Sequence, residues 1–424
     1  MNCPVCGNED SDNTKFCRAC GIPLTAPTAI GAEAVQDNSI RYHGLDALRG
    51  MAMLLGIVLH AALPYIPNVE KFWPADASSS QVINTIFQFI HIWRMPVFFI
   101  MTGFFANLII SRRSWKSWWG NRLLRIGLPI IVFSPLMSLT LPWIFQYGRT
   151  GEFTFFYSDE GQPFHLWFLW HLVIFVIFSA VFRFFYLLGI GVLSGLSGIR
   201  LGSIGSVFHK SKSVLSGILL RSRFPVVFII VCCALNLPTG GELTLNPIGS
   251  SLYFAIGYSL YRNSSLFMFL KVHWRYYFLA GLLGFTLFMI VTSIMDGYSP
   301  DIYSDGFART VDTKKELELL WLAQYLLRIT CAVLFSYAFI GLAENKLGSY
   351  NAQLRFISDG AYWMYLIHLP LVTFITFFMF NLHIPIEVKF LTTIVMTFII
   401  CLVTYKYLVR STLIGILLNG RRLP

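Results

Sequence analysis

Three ionisable side chains open the first apolar run of the chain: Asp46, Arg49 and His60. Arginine offers a planar fork of donors that matches phosphate or carboxylate. Imidazole is the side chain that exchanges a proton near neutral pH. Eleven residues separate Arg49 from His60. In a helix that spacing is three turns plus roughly 20°, so both side chains share one face, about 16–17 Å apart along the axis. That distance is around half the hydrocarbon thickness of a bilayer. The spacing places Arg49 at a membrane surface and His60 near the midplane, with Asp46 one turn before Arg49 and able to pair with it. The bland reading is that Arg49 snorkels to the interface and His60 packs as a core residue. A buried ionisable group costs several kcal/mol unless it faces protein or a water-filled cavity, which favours a functional reading of the pair.

Further polar groups interrupt later apolar runs. Arg94 stands about ten residues into the second, one turn after His91. It needs a carboxylate, a phosphate or an aqueous cavity, or else backbone carbonyls in a structural role. Pro96 and Gly103 in the same run are expected to loosen the helix and free backbone groups. Arg122 and Arg125 lie three apart at the start of the third run, two forks on one side of a helix that would suit a polyanion; positive charge at a cytoplasmic helix entry explains them equally. His165 and Trp167 open the fourth run and are expected at the outer interface, where an aromatic face beside a histidine suits a sugar and belt packing explains the ring equally. Arg328 is another embedded cation. Tyr365 and His368 lie one turn apart on one face of the ninth run.

The elements that must position these groups are membrane helices. The chain is 56% hydrophobic and 12% charged, with a mean hydropathy of +0.64. A soluble globular protein carries about twice that charged fraction, so the class is an all-α polytopic membrane protein embedded in lipid. About ten transmembrane helices are expected, over 46–65, 84–110, 124–147, 164–188, 224–238, 246–262, 276–295, 320–343, 361–381 and 386–408, the fifth short enough to be tilted or re-entrant. The net charge of +11 does not indicate nucleic acid, because Lys and Arg gather in alternate loops. The loops expected in the cytoplasm are 111–123, 189–223, 263–275 and 344–360 and the tail; the first three and the tail are basic, whereas 148–163 and 296–319 on the opposite side are acidic or mixed. That bias puts both termini in the cytoplasm. No cleavable signal peptide is expected, because the N-terminus is polar.

Residues 1–21 form a separate expectation. Cys3, Cys6, Cys17 and Cys20 make two CxxC pairs ten residues apart. Four thiolates so spaced suit a closed structural Zn²⁺ site, a small zinc-ribbon module with no catalytic position; a pair of disulfides is the competing reading. A thiolate site implies a reducing compartment, which agrees with a cytoplasmic N-terminus. Residues 22–40 read as a linker, and 41–424 as the membrane domain. Cys232, Cys233, Cys331 and Cys401 fall in apolar segments as inert small hydrophobes.

Taken together, the Asp46-to-His60 stretch, Arg94 through Gly103, Arg122/Arg125, His165 through Phe168 and Tyr362 through His368 resemble the acyltransferase 3 family of integral membrane acyltransferases. The tail from Leu408 to Arg422 resembles the branch of that family that modifies periplasmic glucans. The likeness runs from about residue 41 to the C-terminus; the zinc knuckles depart from the family pattern and suggest a cytosolic protein partner. The resemblance implies a ten-helix core in the inner membrane that takes an acyl group, acetyl or succinyl in type, from cytosolic acyl-CoA. It implies esterification of a hydroxyl on a glycan or other cell-envelope acceptor at the outer face. Arg49, His60, Arg122 and Arg125 map onto the family's functional positions. His60 is then the general base or an acyl carrier, and Arg94 an oxyanion stabiliser. Asp46, Arg122, Arg125, His91, His165, Trp167, Tyr365 and His368 are the candidate substrate-binding residues. A transporter or flippase for an anionic or glycan substrate would use the same buried charges as a permeation path, and a membrane receptor reporting through the zinc module is a third class.

Overall fold

The computed structural model describes residues 42–112, 115–155, 164–196, 245–303 and 311–419. Every regular element among them is helical: α1 His43–Ala62, α2 Gln81–Arg112, α3 Trp115–Arg122, α4 Leu128–Thr150, α5 Trp167–Leu196, α6 Pro247–Leu260, α7 Ser264–Tyr303, α8 Val311–Lys346, α9 Ala352–Phe378, α10 Ile386–Thr404 and α11 Leu413–Asn419. Eight helical spans among the described residues are long and apolar enough to cross a membrane, with α3 and α4 merged through a π-helical turn at Leu123–Gly127. The protein is therefore a multi-pass membrane protein.

Local chemistry fixes the helix ends. The Asn246 side chain accepts from the Ile248 amide ahead of α6, and Asn351 accepts from Gln353 and Leu354 ahead of α9. α1 has no such cap of its own; the Leu45 amide donates instead to Glu344 Oε1 at the end of α8, 2.9 Å away. A carboxylate at a helix N-terminus satisfies an orphan N–H and opposes the positive end of the dipole. α4 ends on Gly151, whose φ of 76° suits a residue without a β-carbon.

α1, α2, α8 and α9 form the interior and bury more than half of their apolar stretches, whereas α7 buries 11%. The outer helices turn apolar side chains away from the protein, Leu279, Leu283, Leu287 and Ile290 on α7 and Leu391, Val395, Ile399 and Val403 on α10. Facing lipid, those rows lose nothing; the opposite face of α10 carries Thr393 and Thr397, and Thr376 of α9 donates to Thr393 at 3.3 Å. α2 and α6 touch backbone to backbone. A β-carbon on Gly103 would strike the Phe254 carbonyl, and one on Gly257 the Ile100 carbonyl.

The directions of the helices follow from their contacts. Arg355, at the start of α9, bonds Asp46 near the start of α1, and Leu418 of α11 lines the same cavity as Asp46. The two ends of the described chain therefore share one end of the bundle. α5 and α6 both run toward that end, since His171 meets Ser250 near their starts while Trp119 meets Val176 and Asn107 meets Tyr258 further along.

Several expectations need correction. Residues 115–122 and 264–275 are helix rather than loop, and α9 begins at 352. α7 kinks at His273, whose φ of −106° and ψ of 19° are not helical, yet Leu266, Leu270 and Tyr277 are buried on both sides of the kink. The segment 246–262 is a 14-residue helix. Gly103 does not loosen α2, which is continuous through Pro96; it admits α6. Segment 224–238, the four N-terminal cysteines, and Cys232 and Cys233 lie outside the described residues. Cys331 and Cys401 are free and buried, as expected.

Candidate functional site

Arg49, Met53, Gly56 and His60 succeed one another on one face of α1, at spacings of four, three and four residues. Each end of that face meets a different chemistry. At the Asp46 end a cavity of about 360 Å³ is lined by four guanidiniums, Arg49, Arg122, Arg125 and Arg355, against two carboxylates, Asp46 and Asp359. Arg49 pairs with Asp46 at 3.4 Å, as the spacing predicts, while remaining 38% exposed. Arg355 spans Asp46 at 3.2 Å and Asp359 at 2.6 Å. Arg122 at the end of α3 and Arg125 in the π-helical turn that follows both line the cavity, and the Tyr362 hydroxyl donates to the Arg125 carbonyl at 2.9 Å. Such a turn redirects side chains and frees a carbonyl, which Tyr362 takes up. An excess of forked cations in a cleft suits a polyanionic ligand. The same cavity is also walled by apolar side chains, Met53, Phe98 and Phe168 among them.

At the other end of the α1 face, three histidines meet. The His60 ring centroid lies 5.3 Å from that of His368, which lies 5.0 Å from that of His165. Arg94 reaches them through a notch: a β-carbon on Gly56 would fall 2.6 Å from Arg94 Nη1 and 3.3 Å from His368 Nε2. Tyr365 ties the cluster together. Its hydroxyl donates to the His165 carbonyl at 2.7 Å, and its own carbonyl accepts from His368 Nδ1 at 2.7 Å and bonds His165 Nε2 at 3.0 Å. Among the described residues no group of three His, Cys, Asp or Glu side chains is placed to hold a metal ion.

His60 falls in the last turn of α1, closer to the helix end than a midplane position implies. The chain after α1 folds back over it. Trp73 stacks on His60 at 6.1 Å with 19° between the rings, and sets its edge to Phe145 at 4.6 Å. The Trp73 indole N–H is buried with no hydrogen-bond partner among the described residues. Three residues on, Asp76 bonds Lys389 of α10.

Of the sequence-derived candidates, Asp46, Arg49, Arg122 and Arg125 converge on the cavity, and His60, Arg94, His165, Tyr365 and His368 converge on the histidine cluster. His165 is 7% exposed and buried within the protein, where it bonds Tyr365. The Trp167 ring contacts His171, 5.2 Å away. His91 stacks on Phe87 and bonds Arg328 at 2.9 Å, so these two α2 and α8 residues satisfy one another. Sequence reasoning missed Gly56, Trp73, Arg355 and Asp359. Arg355, Asp359 and Tyr362 fall at i, i+4 and i+7, a periodic polar stripe that could have been read; Trp73 sits in a loop with no periodicity to reveal it.

The sequence profile described as "Acyltransferase domain" matches residues 42–406. Over 396 residues, 90% of the chain, it is 24% identical to Glucans biosynthesis protein C of Salmonella schwarzengrund (strain CVM19633), covering 95% of that protein. The proteins of the same name from Salmonella typhi and Salmonella typhimurium are 23% identical over the same length and shares. No solved structure matches the chain.

Proposed function

The chain belongs to this acyltransferase family and is a membrane acyltransferase, and we propose that it moves an acetyl- or succinyl-type group from cytosolic acyl-CoA to a hydroxyl of a glucan or other cell-envelope glycan. The observation that carries this reading is the shared face of α1, with the arginine-lined cavity at one end and the histidine cluster at the other. The donor's phosphates bind Arg49, Arg122 and Arg125, and its thioester arm lies along the apolar wall past Met53. His60 acts as general base on the acceptor hydroxyl, and Arg94 stabilises the oxyanion of the tetrahedral intermediate. Trp73, stacked on His60, offers the acceptor sugar a ring edge and an indole N–H.

This reading sets the chain in the inner membrane. The Asp46 end is cytoplasmic, as its Arg122, Arg125, Lys271 and Arg355 favour. Both termini are then cytoplasmic, with a Zn²⁺-holding ribbon at residues 1–21 as an accessory that binds a cytosolic partner. The test is incubation of the detergent-purified chain with labelled acetyl-CoA or succinyl-CoA and a glucan oligosaccharide, followed by mass spectrometry of the glycan. Cells with and without the chain should differ in acyl mass on their envelope glycans; unchanged glycans and no release of free CoA in vitro would refute the proposal.

A further inference from the structure

Two of the three clustered histidines are bound to a single atom. The Tyr365 carbonyl lies 2.7 Å from His368 Nδ1 and 3.0 Å from His165 Nε2. A carbonyl has no proton to give, so both of those nitrogens carry hydrogen. In the neutral ring the remaining nitrogen is then a lone pair: Nε2 of His368 and Nδ1 of His165. Each is buried without a hydrogen-bond partner among the described residues. His60 is different. No carbonyl fixes its tautomer, and its Nδ1 is also buried without a partner, in a ring 5.3 Å from that of His368. The two nitrogens do not bond one another in this arrangement, and a small closing of the rings would give a hydrogen on His60 Nδ1 a neighbour whose free nitrogen is already set as an acceptor.

We infer that His368 is the proton acceptor for His60, so that the two rings act as a relay during acyl transfer. This deepens the acyl-transfer reading and rests on it. The acceptor O–H bond breaks and its proton goes to Nε2 of His60. The Nδ1 proton of His60 passes to Nε2 of His368, while the hydroxyl oxygen bonds the thioester carbonyl carbon. The C–S bond then breaks, and the proton returns through His60 to the departing thiolate, giving ester and free thiol. The groups that face His368 are His60 from α1, Arg94 from α2, His165 from the turn before α5 and Tyr365 of its own helix. Tyr365 holds two tautomers at once through its backbone, which no side-chain substitution at that position removes.

The experiment compares His368→Asn with His368→Gln in the full-length detergent-purified chain. Asparagine keeps an amide N–H where Nδ1 stood, able to hold the Tyr365 carbonyl, and offers nothing at Nε2; glutamine does the converse. With acetyl-CoA and succinyl-CoA as donors and a glucan oligosaccharide as acceptor, single-turnover transfer should fall at least ~10²-fold in both. Donor affinity should hold, the pH–rate profile should change shape, and added imidazole should restore part of the rate. Transfer by either folded variant within threefold of wild type overturns the relay, and so does a rate loss that imidazole leaves untouched. If wild type itself releases no CoA, the acyl-transfer reading fails instead. A proton inventory in mixed H₂O and D₂O needs no variant: a curved dependence, from two protons moving together, is expected, and a linear one overturns the relay.

Discussion

Lys389 Nζ sits 2.8 Å from Asp76 Oδ2, and each side chain is 4% exposed. The same ammonium donates to the Phe380 carbonyl at 3.1 Å, and the Asp76 amide donates to the Pro64 carbonyl at 3.0 Å. The pair clips the loop that carries Trp73 to the first turn of α10. Breaking one partner of a buried ion pair strands the other charge and costs about 3–5 kcal/mol. Lys389→Met should therefore lower the melting point sharply in detergent, and adding Asp76→Asn should recover much of the loss. A double-mutant cycle measures it; a single-variant cost under about 1 kcal/mol would place the pair in water.

Gly56→Ala is expected to slow acyl transfer while leaving CoA binding intact. The added methyl would fall against Arg94 and His368, at the opposite end of the α1 face from Arg49. Single-turnover rates and donor affinity measured on one preparation separate the two effects. A variant that transfers at the wild-type rate would mean that the Arg94 guanidinium has room to move aside without consequence.

Arg49→Ala should do the reverse, weakening donor binding by roughly 1.5–3 kcal/mol for each charge-assisted bond removed. Arg49→Lys should recover only part, because a fork becomes a point charge. Affinity for free CoA, measured by calorimetry, reads this directly. Binding should also weaken with salt, since Arg49 is partly open to solvent.

His60→Ala should reduce transfer by about 10²–10⁴-fold or more without loss of expression or donor affinity. Normal turnover in a well-folded His60→Ala chain would end the base assignment. His165→Ala supplies a contrast: it removes a hydrogen bond to the Tyr365 carbonyl, so its effect should include a lower melting point.

The N-terminal thiolates predict one zinc per chain, released by Cys17→Ser. A chain starting at Arg41 should keep its transferase activity in vitro. Metal analysis and a transfer assay on the shortened chain check the two halves separately, and a folded but inactive truncation would make residues 1–40 part of the catalytic machinery.

Where periodicity carried information, the sequence was legible. The shared face of Arg49 and His60, the pairing of Asp46 with Arg49 and the turn between Tyr365 and His368 all follow from 3.6 residues per turn. Burial rather than spacing decided the rest. That His165 is buried against Tyr365, 200 residues away, could not be read from its place at the start of an apolar run. Gly56 is invisible in sequence among other small residues, since its purpose lies in what a neighbouring helix inserts beside it. Trp73 lies in a loop without periodicity, and only the fold shows that it returns onto His60. The expected loops at 111–123 and 263–275 are largely helical because positive charge reports depth rather than chain conformation, and α7 kinks at His273 inside the second of them.

α1 runs without a break from His43 to Ala62, fastened at its first turn by the Glu344 carboxylate and closed at its last by the clipped loop. It therefore works as a gauge. If a thioester donor lies along this face as proposed, the fixed separation of the arginine and the histidine tests its length before its chemistry. An acyl thioester whose carbonyl lies much less than about 16 Å from its anionic end can sit on Arg49 or reach His60, but cannot do both. Short thioesters would accordingly be poor donors even when their acyl group is right.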